Sequence, residues 1–165
     1  MQIPYRKPGE FTNMTPDPHL TQAKFDELTQ KLKKLKAVLP GAISELQRLA
    51  EMGDFSENAA YQMAKGRVRS LNDKIFGIEE HLKQAIIIAP GKNSDTVQLG
   101  STVTVMVDDK EKVYQLLGSS EVNLAKGIIS NHSPVGESLM GKKVGDVFKI
   151  NLAKGEVDAE IIGIK

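Results

Sequence analysis

Cysteine is absent from the 165 residues, which excludes disulfide scaffolds, zinc fingers, iron–sulfur clusters and thiol catalysis together. An excess of one charge is also missing: 22 basic residues against 21 acidic leave a formal net charge of +1. A protein that held nucleic acid mainly by bulk charge would be far more basic. Long apolar runs are lacking too. The longest, Ala85 to Pro90, is much too short to span a bilayer. Nothing at the N-terminus has the basic-then-apolar layout of a signal peptide. The expectation is a soluble, cytoplasmic protein with no membrane partner. Its hydrophobic share of 40% is enough to bury a core, in one large domain or two small ones.

Three regions can be read along the chain. Residues 1–19 hold four of the seven prolines and show no periodicity, as expected of an extended arm. From Leu20 to about Ala89 the pattern is helical. From Asp95 onward it changes to short β-branched runs broken by Gly, Asn and Ser, with strands expected at 103–107, 112–117, 147–152 and 157–164. Residues 90–94 (PGKNS) read as the linker. The domains are therefore an arm at 1–19, a helical region at 20–90 and a β region at 91–165.

The helical region carries two unbroken a/d seams. One runs through Phe25, Leu28, Leu32, Leu35, Leu39, Ala42, Leu46 and Leu49; the other through Tyr61, Ala64, Val68, Leu71, Ile75, Ile78, Leu82 and Ala85. Paired from 49 with 61 outward to 25 with 85, the numbers of every pair sum to 110. Two helices folded about residue 55 would thus match layer for layer, as an antiparallel coiled-coil hairpin. Thirty residues at 1.5 Å each give an arm of about 45 Å. Pro40-Gly41 interrupts the first helix chemically, so a bend or short break is expected there. Lys31, Lys33, Lys34, Lys36, Arg67 and Arg69 lie off the seams, either as a solvated flank or as a nucleic-acid patch.

The turn, Met52-Gly53-Asp54-Phe55-Ser56-Glu57-Asn58, admits two readings. In one, Gly53 ends a helix while Asp54 and Glu57 form a capping box. In the other, two carboxylates at the end of a rod make half a metal site. Mg²⁺ typically takes one or two protein carboxylates and leaves the rest to water and substrate phosphate. Phe55 has no core to enter at that position.

The stretch 53–65 (GDFSENAAYQMAK) resembles the tip signature of the Gre family of bacterial transcript-cleavage factors. The match covers Gly53, Asp54, Ser56, Glu57, Asn58, Ala59, Tyr61 and Lys65. LGSTVTV (99–105) and ISNHSPVGESLMGKKVGDVFKI (129–150) are similar to that family's C-terminal domain. The resemblance implies an α+β fold, in which a coiled-coil hairpin precedes an antiparallel β domain, with a short helix, like that of the FK506-binding proteins. It also implies an accessory factor rather than an enzyme. The β domain would dock at the rim of RNA polymerase's secondary channel, with Ser133 and Pro134 on the docking surface. The hairpin would reach the active centre, where Asp54 and Glu57 would help hold a Mg²⁺ shared with the polymerase and orient a water. The polymerase would then cut the 3′ end of backtracked nascent RNA. Gly53, Phe55, Ser56, Asn58 and Tyr61 would shape and support the tip, and Lys65, Arg67 and Arg69 would face RNA or polymerase. A monomer with no cofactor of its own is expected.

Three departures stand out. Ala60 replaces a usually acidic residue, the arm before Leu20 is longer than usual, and Phe55 fills the variable tip position. The intact acid pair favours a cleavage stimulator. The alternative is a secondary-channel regulator or inhibitor that does not stimulate cleavage. A prolyl isomerase would need an aromatic-lined pocket, yet after residue 95 the sequence offers only Tyr114 and Phe148. A scaffolding coiled coil would leave the tip free to vary. His19, His81 and His132 are dispersed, with His81 expected on the outer face of its helix. Gly141, Gly145 and Gly155 read as turn glycines, and Asp108-Asp109 as a hairpin turn rather than a metal site.

Overall fold

The structure, a computed structural model, describes residues 17–52, 59–89, 95–152 and 155–165. It opens on a two-residue strand, β1 (His19–Leu20), followed by helices α1 (Gln22–Glu51) and α2 (Ala59–Gln84) and a second short strand, β2 (Ile86–Ile87). A five-stranded sheet follows, built from β3 (Thr102–Val107), β4 (Lys110–Leu117), β5 (Ile128–Ser130), β6 (Val147–Leu152) and β7 (Gly155–Ile164). The short helix α3 (Pro134–Leu139) lies between β5 and β6.

Thr21 starts α1, its hydroxyl accepting the Lys24 N–H at 3.2 Å. From Phe25 to Leu49, and again from Tyr61 to Ile78, every seam residue is buried or half-buried and every other residue is exposed. Over those spans the heptad reading and the fold coincide position by position, while Ala85, the last expected seam residue, lies just past the end of α2. Burial is shallow because each helix has only one partner. On the seams only Ala42, Leu49, Ala64 and Ile75 are buried, and each keeps some exposure. Lys36 pairs with Glu79 and Glu45 with Arg67 across the flanks, in keeping with the antiparallel register that the seam sets.

Two expectations are corrected here. The helix does not break at Pro40, since α1 runs through it without interruption. Pro40 and Gly41 are both exposed, so the carbonyl that loses its partner can turn to water. Nor does the helical pattern persist to Ala89. The β-branched run that begins at Ile86 leaves the helix and pairs in parallel with β1, His19 against Ile86 and Leu20 against Ile87. Ile86 N–H donates to the Pro18 carbonyl at 2.7 Å and Ile88 N–H to the Leu20 carbonyl at 2.8 Å. The end of the expected N-terminal arm is therefore docked at the base of the hairpin. Residues 1–16 and the expected linker at 90–94 lie outside the described residues.

The sheet order is β5-β4-β3-β7-β6. All neighbours are antiparallel except β4 and β5, which pair in parallel. That pair, with α3, was not resolvable from pattern alone. Alternation along β3 sends Val103, Val105 and Val107 into a core completed by Val97, Leu116, Ile129, Leu139, Ile150, Ala159 and Ile161. Asp108 and Asp109 join β3 to β4 with φ of 50° and 58°, the left-handed geometry of a tight hairpin turn. Gly136 lets α3 sit against β5, because a Cβ there would meet the Ser130 carbonyl oxygen at 2.0 Å.

Candidate functional site

The hairpin carries one end of the site. Helix α1 stops at Glu51 and α2 starts at Ala59, so the chain linking them carries Gly53, Asp54, Phe55, Ser56, Glu57 and Asn58. These six lie outside the described residues. The residues around them are described. Tyr61 is half-buried in the first seam layer of α2, above the buried Ala64. Ala60 is exposed, so the missing carboxylate at that position is missing from the surface. Met52 and Met63 are 68% and 76% exposed, an apolar pair that the sequence reading did not single out.

The three basic residues expected to face RNA or polymerase do not share one face. Lys65 and Arg69 are exposed one helical turn apart, on the same side of α2. Arg67 turns toward α1, where its Nη1 lies 3.7 Å from Glu45 Oε2. Both side chains of that pair are more than half-exposed or close to it, so the pair itself contributes little. Among the described residues no group of three or more His, Asp or Glu side chains could hold a metal ion. Asp54 and Glu57 are hard oxygen donors of the kind Mg²⁺ accepts, but two donors leave most of its coordination open.

The second half of the site is on the β domain. Ser133 caps α3: its hydroxyl accepts the Gly136 N–H at 3.1 Å and donates to the Ser130 carbonyl at 2.6 Å. Pro134 occupies the first helical position, where no N–H is needed, and is exposed. Ser133 thus holds the turn that presents Pro134. Tyr114 and Phe148 are half-buried and pack against the core.

The dispersal of the histidines is overturned. All three converge on Asp17. His19 Nδ1 donates to Asp17 Oδ1 at 2.9 Å, His81 Nε2 donates to the Asp17 carbonyl at 2.9 Å, and His132 Nε2 lies 3.9 Å from Oδ2. His81 faces the base of the hairpin and not its outer side. Nothing in spacing could have announced this, because the partners lie as far as 115 positions apart in the sequence. No helix of the described residues is long and apolar enough to cross a membrane.

Comparison with known proteins covers nearly the whole chain. Residues 19–87 match the family described as transcription elongation factor, N-terminal, and residues 92–165 match the family described as transcription elongation factor, GreA/GreB, C-term. Transcription elongation factor GreA of Staphylococcus saprophyticus is 37% identical over 150 residues, covering 88% of this chain and 95% of the relative. Its namesake from Nitratiruptor is 33% identical over 148 residues, covering 88% and 91%. The solved structure of GreA factor homolog 1 from Thermus thermophilus is 27% identical, covers 90% of this chain and 99% of that one, and superposes with a TM-score of 0.42. Two matched domains in the right order, with relatives alike along almost their full length, place this chain in the GreA/GreB family of transcription elongation factors.

Proposed function

We propose that this chain is a transcription elongation factor that binds RNA polymerase at its secondary channel and stimulates cleavage of the 3′ end of backtracked nascent RNA. The observation that carries this reading is the continuity of the seam. Burial at every seam position from Phe25 to Leu49 and from Tyr61 to Ile78 keeps α1 and α2 in register as a rod about 45 Å long, and in the sequence Asp54 and Glu57 fall in the segment that joins the two helices. A pair of carboxylates in that segment has no place in either apolar seam of the sequence. It suits a site completed by another macromolecule.

In this reading the β domain docks through the turn held by Ser133, with Pro134 forward. Asp54 and Glu57 contribute hard oxygen donors beside the polymerase's reacting phosphodiester. Mg²⁺ bound there supplies charge neutralisation and lowers the pKa of a coordinated water. Gly53, Phe55, Ser56 and Asn58 shape the turn, and Tyr61 braces it from the first seam layer. Lys65 and Arg69, on one face of α2, meet RNA or channel wall, while Arg67 stays close to Glu45. The chain acts as a monomer and as an accessory, with the bond cleavage belonging to the polymerase.

Stalled, backtracked elongation complexes test this directly. Addition of the purified protein should shorten the RNA from its 3′ end. Asp54→Asn and Glu57→Gln should each lower the cleavage rate by about 10²-fold or more while polymerase affinity stays near wild type. Because either acid can also cap α2, melting curves of the variants must show no loss beyond the ~1 kcal/mol of a lost cap. Ala60 gives the second reading its one specific support, since it removes a carboxylate next to the tip. Binding without any RNA shortening, unrelieved by Ala60→Glu, would establish the non-cleaving regulator instead.

A further inference from the structure

Residues 17–21 are gripped from two sides. On the hairpin side, the carbonyls of Asp17, Pro18 and Leu20 accept from His81 Nε2, Ile86 N–H and Ile88 N–H at 2.9, 2.7 and 2.8 Å. On the β-domain side, Ser119 N–H and Oγ donate to Asp17 Oδ2 at 2.9 and 3.2 Å. The Glu121 carboxylate accepts both Thr21 N–H, at 2.7 Å, and Thr21 Oγ1, at 2.6 Å. Gly118 is buried against the same segment, where a Cβ would meet the His19 carbonyl oxygen at 2.0 Å.

The Asp17 side chain is only 4% exposed. Its other oxygen accepts His19 N–H at 3.0 Å and Nδ1–H at 2.9 Å, so both oxygens are engaged. A buried carboxylate with this many donors is held in one geometry. The network does not stop there. Ser119 Oγ lies 2.9 Å from Ser130 Oγ, and the Ser130 carbonyl accepts from Ser133 Oγ at 2.6 Å. Hydrogen bonds therefore tie Asp17, at the base of the rod, through Ser119 to the Ser130 side chain, and the Ser130 backbone in turn holds the cap that presents Pro134.

We propose that Asp17 and Glu121 are positioning residues that lock the direction of the hairpin to the Ser133–Pro134 face of the β domain, and so fix where the far tip lands when that face is docked. The lock acts on the structure of the free protein; its consequence for cleavage rests on the function proposed above. Leverage makes it matter. On a rod of about 45 Å, a rotation of roughly 10° at the base moves the tip by about 8 Å. Displacement of a catalytic group by as little as about 1 Å can cost about 10²-fold in rate. Two separated carboxylates, Asp17 at one end of the 17–21 segment and Glu121 on Thr21 at the other, resist rotation better than either contact alone.

The absence of native cysteine makes the test clean. Donor and acceptor dyes on cysteines introduced at Gln47, on the exposed side of α1, and at Lys126, on the exposed surface of the β domain, report the angle in the full-length protein. Wild type should give one narrow distance distribution. Asp17→Asn combined with Glu121→Gln should broaden or shift it, with helix content unchanged by circular dichroism. With saturating factor, the same variant should cleave about 10-fold or more slowly while binding polymerase with unchanged affinity, a split that general loss of folding does not produce. Ser119→Ala, which keeps the backbone donor, should broaden the distribution less than the double variant. An unchanged distance distribution in the double variant overturns the lock, whatever the cleavage result. A broadened distribution with wild-type cleavage at saturation overturns its positioning role. If wild type itself does not cleave, the proposed function fails, and the distance measurement still decides the lock.

Discussion

The hairpin and the β domain bury their apolar residues in different ways. Along the rod, sixteen seam positions yield four buried side chains, none of them fully enclosed, because each helix is covered on one side only. In the β domain, ten buried residues from five strands, α3 and the segment before β3 form one cluster. The rod gains reach and gives up enclosure; the domain does the reverse. What this teaches is that length and stability are separated in this molecule, with the domain as anchor and the hairpin as probe.

A pair of truncations would break that comparison most directly. Leu139 is fully buried where α3 meets the sheet, and Leu139→Ala should cost about 2–5 kcal/mol of β-domain stability. Leu32, half-buried on the seam, should cost clearly less as Leu32→Ala, about 1–2 kcal/mol, because part of its surface already meets water. Chemical denaturation followed by hydrogen exchange in each region separates the two values. Equal losses would mean that the rod is enclosed after all.

The rod can also be sharpened. Pro40 is exposed inside α1, so replacing it restores a helical hydrogen bond without touching the seam. Pro40→Ala should stabilise the hairpin by up to about 3 kcal/mol, read as a rise in the helix melting temperature. A fall would show that the proline sets a curvature that the seam requires.

How much of this was legible in the sequence follows the same division. The seams could be read residue by residue, since a 3–4 spacing needs only local order and one partner. Strands β3, β4, β6 and β7 were readable within about two residues from β-branching and turn residues, and the Asp108-Asp109 turn from its chemistry. Pairings between distant segments were not. The β1–β2 pair joins strands too short to show any period, and β5 beside β4 is a parallel edge set by tertiary packing. Pro40 pointed to a bend or short break although the heptad phase continues across it; α1 carries no break there, because the proline and its neighbour Gly41 sit on the exposed face and leave the seam whole. The base of the hairpin was invisible for a further reason. Asp17, His81, Ser119 and Glu121 are ordinary polar residues in sequence, and only the fold gathers them. The tip is the opposite case: its local motif carried the family resemblance, while its geometry lies outside the described residues.

The smallest expected effect bears on the joint between the two regions. Burial alone raises the pKa of the Asp17 carboxyl, but the N–H of Ser119, the N–H and ring of His19 and the charge of that ring outweigh it, bringing the value from 3.8 down to about 2. A carboxylate whose pKa is depressed on folding contributes stability that is fully present above its ordinary value. That contribution disappears as pH falls from 3.8 toward 2. Allowing for solvent screening, it is on the order of 1 kcal/mol. Other carboxylates titrate over the same range, so the informative quantity is the difference between wild type and Asp17→Asn, which lacks this ionisation. The dye distance across the joint should begin to broaden in wild type as the pH enters that window, while the variant, already loosened, should change less. Parallel curves for the two proteins would mean that the Asp17 charge does not hold the hairpin to the domain, and that the Glu121–Thr21 contacts and the close packing at Gly118 do so without it.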